Sequence, residues 1–98
     1  MSYQARCTIA PDHPSLAGHF PGNPIVPGVV VLDEVYYALL AWKGSGHIDA
    51  LSSVKFLLPI LPGQSFTIYL NETASQQIQF ECKMQDTVAV SGKLTYLA

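Results

Sequence analysis

The sequence predicts an α+β domain in which an antiparallel sheet of about five strands curls around one long central helix. Three observations carry that expectation. Apolar and polar residues alternate in several separate stretches, and one apolar run too long for a strand follows a loop dense in Gly and Pro. At 98 residues the chain has room for one domain, 1–98, and no repeat or linker divides it.

In "YQARCTI" the residues Tyr3, Ala5, Cys7 and Ile9 alternate with Gln4, Arg6 and Thr8, the period of a half-buried strand. "GHFPGNPIVPG", residues 18–28, holds three Gly, three Pro and one His, which predicts a rigid, sharply folded loop. "VVVLDEVYYALLAW", 29–42, then runs into "KGSG", a basic residue followed by glycines, as helices end. Its apolar residues lie on every face, so the helix is expected to be buried all round. A strand over about 49–58 stops at Pro59, and "LPG" at 61–63 turns the chain into three more alternating segments. These are "FTIYL" from Phe66, "IQFECKM" from Ile78 and "TVAVSGKLTY" from Thr87, and their short polar connections predict a meander.

Hydrophobic residues make up 49% of the chain and charged residues only 12%, against roughly 25% charged in an ordinary soluble domain. That leaves more apolar surface than one small monomer can hide, and self-association is the expected outlet. No apolar stretch approaches the roughly 20 residues of a membrane span, and the first residues lack the pattern of a signal peptide, so a cytoplasmic location is expected. A formal charge of −2, with five Lys and Arg spread singly, excludes the basic footprint of a nucleic-acid binder. Cys7 and Cys82 are too few and too far apart in sequence for a metal pattern or a disulfide framework, and are expected to be buried thiols.

Asp33 and Glu34 are the only charged residues in the predicted helix. An unpaired ionised carboxylate is costly to bury, so at least one of the two is a functional candidate. Neighbours on a helix project about 100° apart, so the pair cannot share one environment. His19 in the loop can take a proton, a carboxyl group can give one, and the Gly28 amide falls at the helix N-terminus, where developing negative charge is favoured. Those three groups, with no activated Ser or Cys, suit proton abstraction next to a carbonyl followed by loss of a leaving group. His13 and His47 have no such context and read as surface or turn residues. Tyr36, Tyr37 and Trp42 read as core and pocket wall.

The stretch "GHFPGNPIVPGVVVLD", Gly18 to Asp33, resembles the signature of the hot-dog-fold β-hydroxyacyl-thioester dehydratases of bacterial fatty-acid synthesis, whose loop reads "HFxGxPxxPG" and whose acid lies on the central helix. "VKFLLPILPGQSF", 54–66, is similar to the family's strand-turn-strand segment. "DHPSLAGHFPG" with "VVLDEV" looks most like short dehydratases linked to aryl-polyene synthesis. The resemblance implies a hot-dog fold and a homodimer whose active sites are each shared by two chains. It implies that His19 removes a proton from C2 of a 3-hydroxyacyl thioester, carried on acyl carrier protein or coenzyme A. Gly28 N–H would polarise the thioester carbonyl and Asp33 of the other chain would protonate the departing hydroxyl, with no metal or redox cofactor needed. Pro27, Val29, Tyr37 and Ala38 would join Gly28 in binding substrate; Tyr37 stands where relatives often carry Gln. A hot-dog thioesterase, or an inactive acyl-binding or partner subunit, would have the same fold.

Overall fold

The computed structural model describes residues 1–11 and 25–97. Its elements are β1 (Ser2–Thr8), α1 (Gly28–Lys43), β2 (His47–Phe56), β3 (Ser65–Ala74), β4 (Gln77–Met84) and β5 (Thr87–Leu97). They form one antiparallel sheet in the order β1-β3-β4-β5-β2. The meander β3-β4-β5 sits in the middle, as its short connections require. The first two strands go to opposite edges, β1 beside β3 and β2 beside β5.

Alternation places one side of the sheet in the core. Phe66, Ile68 and Leu70 of β3, Ile78, Phe80 and Cys82 of β4, and Leu94 and Tyr96 of β5 are buried against Val31, Val35 and Leu39 of α1. Full burial of an aliphatic or aromatic side chain of this size stabilises by about 1.5–3 kcal/mol, so this face holds the domain together. Gly92 belongs to the same packing, because a Cβ there would lie 2.6 Å from Phe80 Cζ. In β5 the alternation breaks once. Cys82 pairs with Val90 and Lys83 with Val88, which leaves Ala89 as a bulge. Its carbonyl accepts hydrogen bonds from the Leu57 and Leu58 amides at 2.7 and 3.1 Å and fixes the segment that leaves β2.

The expectation of a helix buried all round is corrected here. Val29, Asp33, Tyr37 and Ala41, spaced at four residues, form an exposed stripe along α1. Val29 is 66% exposed and Tyr37 56%. A single sheet covers one side of a helix, and this chain has no second layer among the described residues. Edge strand β2 is open as well, with Leu51 and Phe56 exposed, and Leu57 and Leu58 continue the apolar surface beyond it. The apolar surplus read from composition is therefore concentrated on one helix stripe and one sheet edge. No helix among the described residues is long and apolar enough to cross a membrane. Cys7 and Cys82 are free thiols, Cys82 fully buried and Cys7 half-buried.

Candidate active site

Pro27 is the N-cap of α1, with extended φ and ψ of −60° and 145°, and it makes no side-chain capping bond. The first amides of the helix must therefore look elsewhere. Those of Val30 and Val31 both donate to the Pro27 carbonyl, at 3.0 and 3.3 Å. Among the described residues the Gly28 and Val29 amides have no acceptor. Unpaired N–H groups together with the helix dipole favour negative charge at that point.

The ring of Phe56 lies directly on Gly28. A Cβ at Gly28 would meet Phe56 Cε1 and Cζ at 2.7 Å, so the ring packs where only hydrogen fits. Around this contact opens an apolar cavity of about 480 Å³, lined by Pro27, Gly28, Val31, Phe56, Ile60 and Val90 among others. Such a lining suits an apolar group whose polar end meets the helix terminus.

His19 and His13 lie outside the described residues. The chain on either side of that stretch is nevertheless held at one place. The Ile9 carbonyl accepts from Gly63 N–H at 2.8 Å, and Val26 N–H donates to the Ile60 carbonyl at 2.9 Å. Gly63, at φ +81°, supplies the left-handed turn that lets 60–63 meet both flanks. Val26 and Ile60 both line the apolar cavity, so the contact between them is part of its wall.

The two adjacent carboxylates diverge as helix geometry demands. Asp33 lies on the exposed stripe, one turn beyond Val29 and one turn before Tyr37. Glu34 is half-buried and turns to Cys7 of β1. Burial first, then the Glu34 carboxylate, pushes the Cys7 thiol up to about 12. Burial, then Cys7, pushes Cys82 up to about 12 as well. Neither thiol is a nucleophile at neutral pH.

Of the predicted substrate-binding residues, Pro27 and Gly28 meet at the cavity, whereas Val29 and Tyr37 stand with Asp33 on the open stripe. Ala38 is 5% exposed and belongs to the core, on the sheet side of the helix. It does not line this apolar cavity. Tyr36 donates through its hydroxyl to the Gly46 carbonyl at 3.2 Å, and Trp42 stacks on Tyr3 at 5.9 Å, both structural roles. His47 begins β2 at the surface. Phe56 was missed by sequence reasoning, since only the fold shows which aromatic residue reaches Gly28.

Residues 1–93 match the family model described as ApeI-like, ApeI dehydratase. The 3-hydroxyacyl-(acyl-carrier-protein) dehydratase FabZ of Lactobacillus helveticus is 30% identical over 92 residues, which cover 82% of this chain and 62% of that one. The chain thus spans about three fifths of the length of such curated relatives. Among solved structures, the dehydratase heterocomplex ApeI:P from Xenorhabdus doucetiae superposes with a TM-score of 0.82 at 23% identity, covering 99% of this chain and 88% of that one. An uncharacterized protein from Erwinia carotovora subsp. atroseptica superposes at 0.84 with 26% identity, covering 98% and 82%. The fold is the hot-dog fold.

Proposed function

The chain belongs to the ApeI-like dehydratase family, and we propose that it removes water from a 3-hydroxyacyl thioester to leave the trans-2-enoyl thioester. The observation that carries this reading is the pairing of an uncapped helix terminus at Gly28, opening on an apolar cavity, with an Asp33 carboxyl held on the open face of the same helix. In the proposed reaction His19 takes the C2 proton and the electron pair moves toward the thioester oxygen, which the Gly28 N–H stabilises. Asp33 then protonates the 3-hydroxyl as the C3–O bond breaks, and water leaves. Solvent returns the proton from imidazolium to carboxylate and resets the pair. The curated relatives are dehydratases, and this favours loss of water over thioester hydrolysis.

The open stripe and the open edge of β2 support a homodimer in which a second copy covers Asp33 and brings its own His19 to it. The Xenorhabdus doucetiae heterocomplex makes a mixed pair the arrangement to test beside it. An acyl carrier protein is the proposed bearer of the substrate, aryl-polyene synthesis the proposed setting, and the cytoplasm the proposed location, which two free cysteines suit.

Incubation with a 3-hydroxyacyl thioester and mass analysis of the products tests the reaction. Loss of water is expected; release of free thiol would establish a thioesterase, and an unchanged substrate an inactive subunit. The shared site is tested by mixing inactive His19→Ala with inactive Asp33→Asn chains. In random pairing, heterodimers carry one doubly damaged and one intact site, so about a quarter of the wild-type sites should return. No recovery after confirmed exchange would place both residues in one chain.

A further inference from the structure

A second cavity, of about 590 Å³, opens at the same end of the sheet, and Leu58 lines both it and the apolar cavity. Strand register explains its charge. Arg6 of β1 pairs with Thr67 of β3, and Thr67 pairs with Lys83 of β4. Directly opposed residues project to the same side of a sheet, so the three form one row on the face opposite Phe66 and Ile68. Two strand spacings separate Arg6 from Lys83, about 10 Å between backbones, a span over which two long side chains can converge on one anion. Gln64 and Gln85 add amide donors to the wall.

Among the described residues that line this cavity, Arg6 and Lys83 are the charged ones, and no carboxylate faces them from the lining. In a chain with five Lys and Arg and a net charge of −2, that is a concentration of positive charge. Lys43 is engaged elsewhere, with Glu72. Lys83 lies 5.2 Å from the Tyr69 ring centroid and 3.9 Å from Glu81, and so long an exposed pair is weak enough for a phosphate to displace.

We propose that this cavity binds the phosphate of the substrate's carrier arm while the acyl end occupies the apolar cavity beside it. The identity of the ligand rests on the dehydratase reading. A 4′-phosphopantetheine thioester bears its phosphate at one end and its acyl group at the other, and two adjoining cavities, one cationic and one apolar, match that division. Phosphate chemistry of this kind comes from the phosphodiester of a carrier protein or from coenzyme A.

The test compares 4′-phosphopantetheine with pantetheine by calorimetric titration into the wild-type protein and into the Arg6→Gln/Lys83→Gln double variant. The altered side chains face outward, and an unchanged melting curve verifies the fold. Phosphopantetheine should bind the wild type about tenfold or more tightly than pantetheine, and that advantage should vanish in the double variant while pantetheine binding stays the same. Equal binding of the two probes by the wild type, or an advantage that survives the double substitution, would overturn the proposal. Turnover gives the second arm, with thioesters of carrier protein, coenzyme A and plain pantetheine. The double variant should raise KM for phosphate-bearing substrates and leave kcat, and all values for the pantetheine thioester, unchanged. A rise confined to the carrier thioester or to the coenzyme A thioester identifies the source of the phosphate. A wild type that turns over nothing but binds phosphopantetheine through Arg6 and Lys83 would defeat the dehydratase reading and leave the phosphate site standing.

Discussion

At the C-terminal end of α1 the Lys43 ammonium donates to Glu72 Oε1 at 2.9 Å, and the Tyr96 hydroxyl donates to Glu72 Oε2 at 2.9 Å, whereas at the N-terminal end Pro27 offers no side-chain cap and no acidic residue stands in the first turn. Lys43 also lies 4.1 Å from the Trp42 ring centroid, and Trp42 stacks on Tyr3. Gly44, at φ +83°, ends the helix with its N–H on the Leu40 carbonyl at 2.7 Å. These contacts tie helix to sheet. The other end carries the apolar cavity, and a missing N-cap costs about 1 kcal/mol. The difference teaches that this domain anchors its helix at one terminus and leaves the other with unspent binding capacity, which is what a ligand site requires.

The sharpest way to break that comparison is at the carboxylates. Asp33→Asn should lower kcat/KM by about 10²–10⁴-fold with little change in the melting curve, because Asp33 is exposed and outside the core. Glu34→Gln should retain most activity. A reversed ranking would move the acid to the sheet-facing side of the helix.

Two glycines that each touch a phenylalanine ring come next. Gly92→Ala forces a Cβ to 2.6 Å from the fully buried Phe80 and 3.1 Å from Val54, so thermal or urea unfolding should report a loss of about 1–3 kcal/mol. Gly28→Ala meets Phe56 at 2.7 Å, but that ring is 55% exposed and can swing away. Stability should stay within about 0.5 kcal/mol of wild type while turnover falls, since the ring that moves is a wall of the apolar cavity.

At the anchored end the expected effect is smaller and depends on pH. Hydrogen bonds from Lys43 and then Tyr96 hold the Glu72 carboxyl below its ordinary value of 4.5. A lowered carboxyl contributes stability that is complete above the ordinary value and is lost as pH falls through the lowered one. The midpoint of urea unfolding should therefore drop on acidification below about pH 4.5, and Glu72→Gln should flatten that limb. An identical acid limb in the variant would remove Glu72 from the account. The smallest change concerns the thiols. Both cysteines should resist iodoacetamide at pH 8 in the folded protein, and Glu34→Gln should speed alkylation of Cys7 alone by withdrawing the neighbouring carboxylate. Equal rates with and without Glu34 would mean that burial alone protects Cys7.

Much of this architecture was legible in local pattern. Ile78, Phe80 and Cys82 point inward and Gln79 outward because alternation in a strand is set by the backbone pleat, whatever the neighbours are. The end of α1 at Lys43 and Gly44 was readable for the same local reason, and so was the divergence of Asp33 from Glu34. The stretch around His19, proposed to be catalytic, was legible only as a motif, and it lies outside the described residues.

What sequence alone determined is thus the set of elements and, in the strands, their buried sides, each decided by interactions a few residues long. Only the tertiary structure decided that β1 and β2 take opposite edges, that Phe56 reaches Gly28, that Ala38 faces the core, and that Arg6, Thr67 and Lys83 share a row. Hydropathy said that the apolar residues of α1 need cover. It could not say that the sheet would cover one side and leave Val29, Asp33 and Tyr37 open, because cover depends on which distant strands pair and in what register, and those choices are settled by the packing of the whole chain.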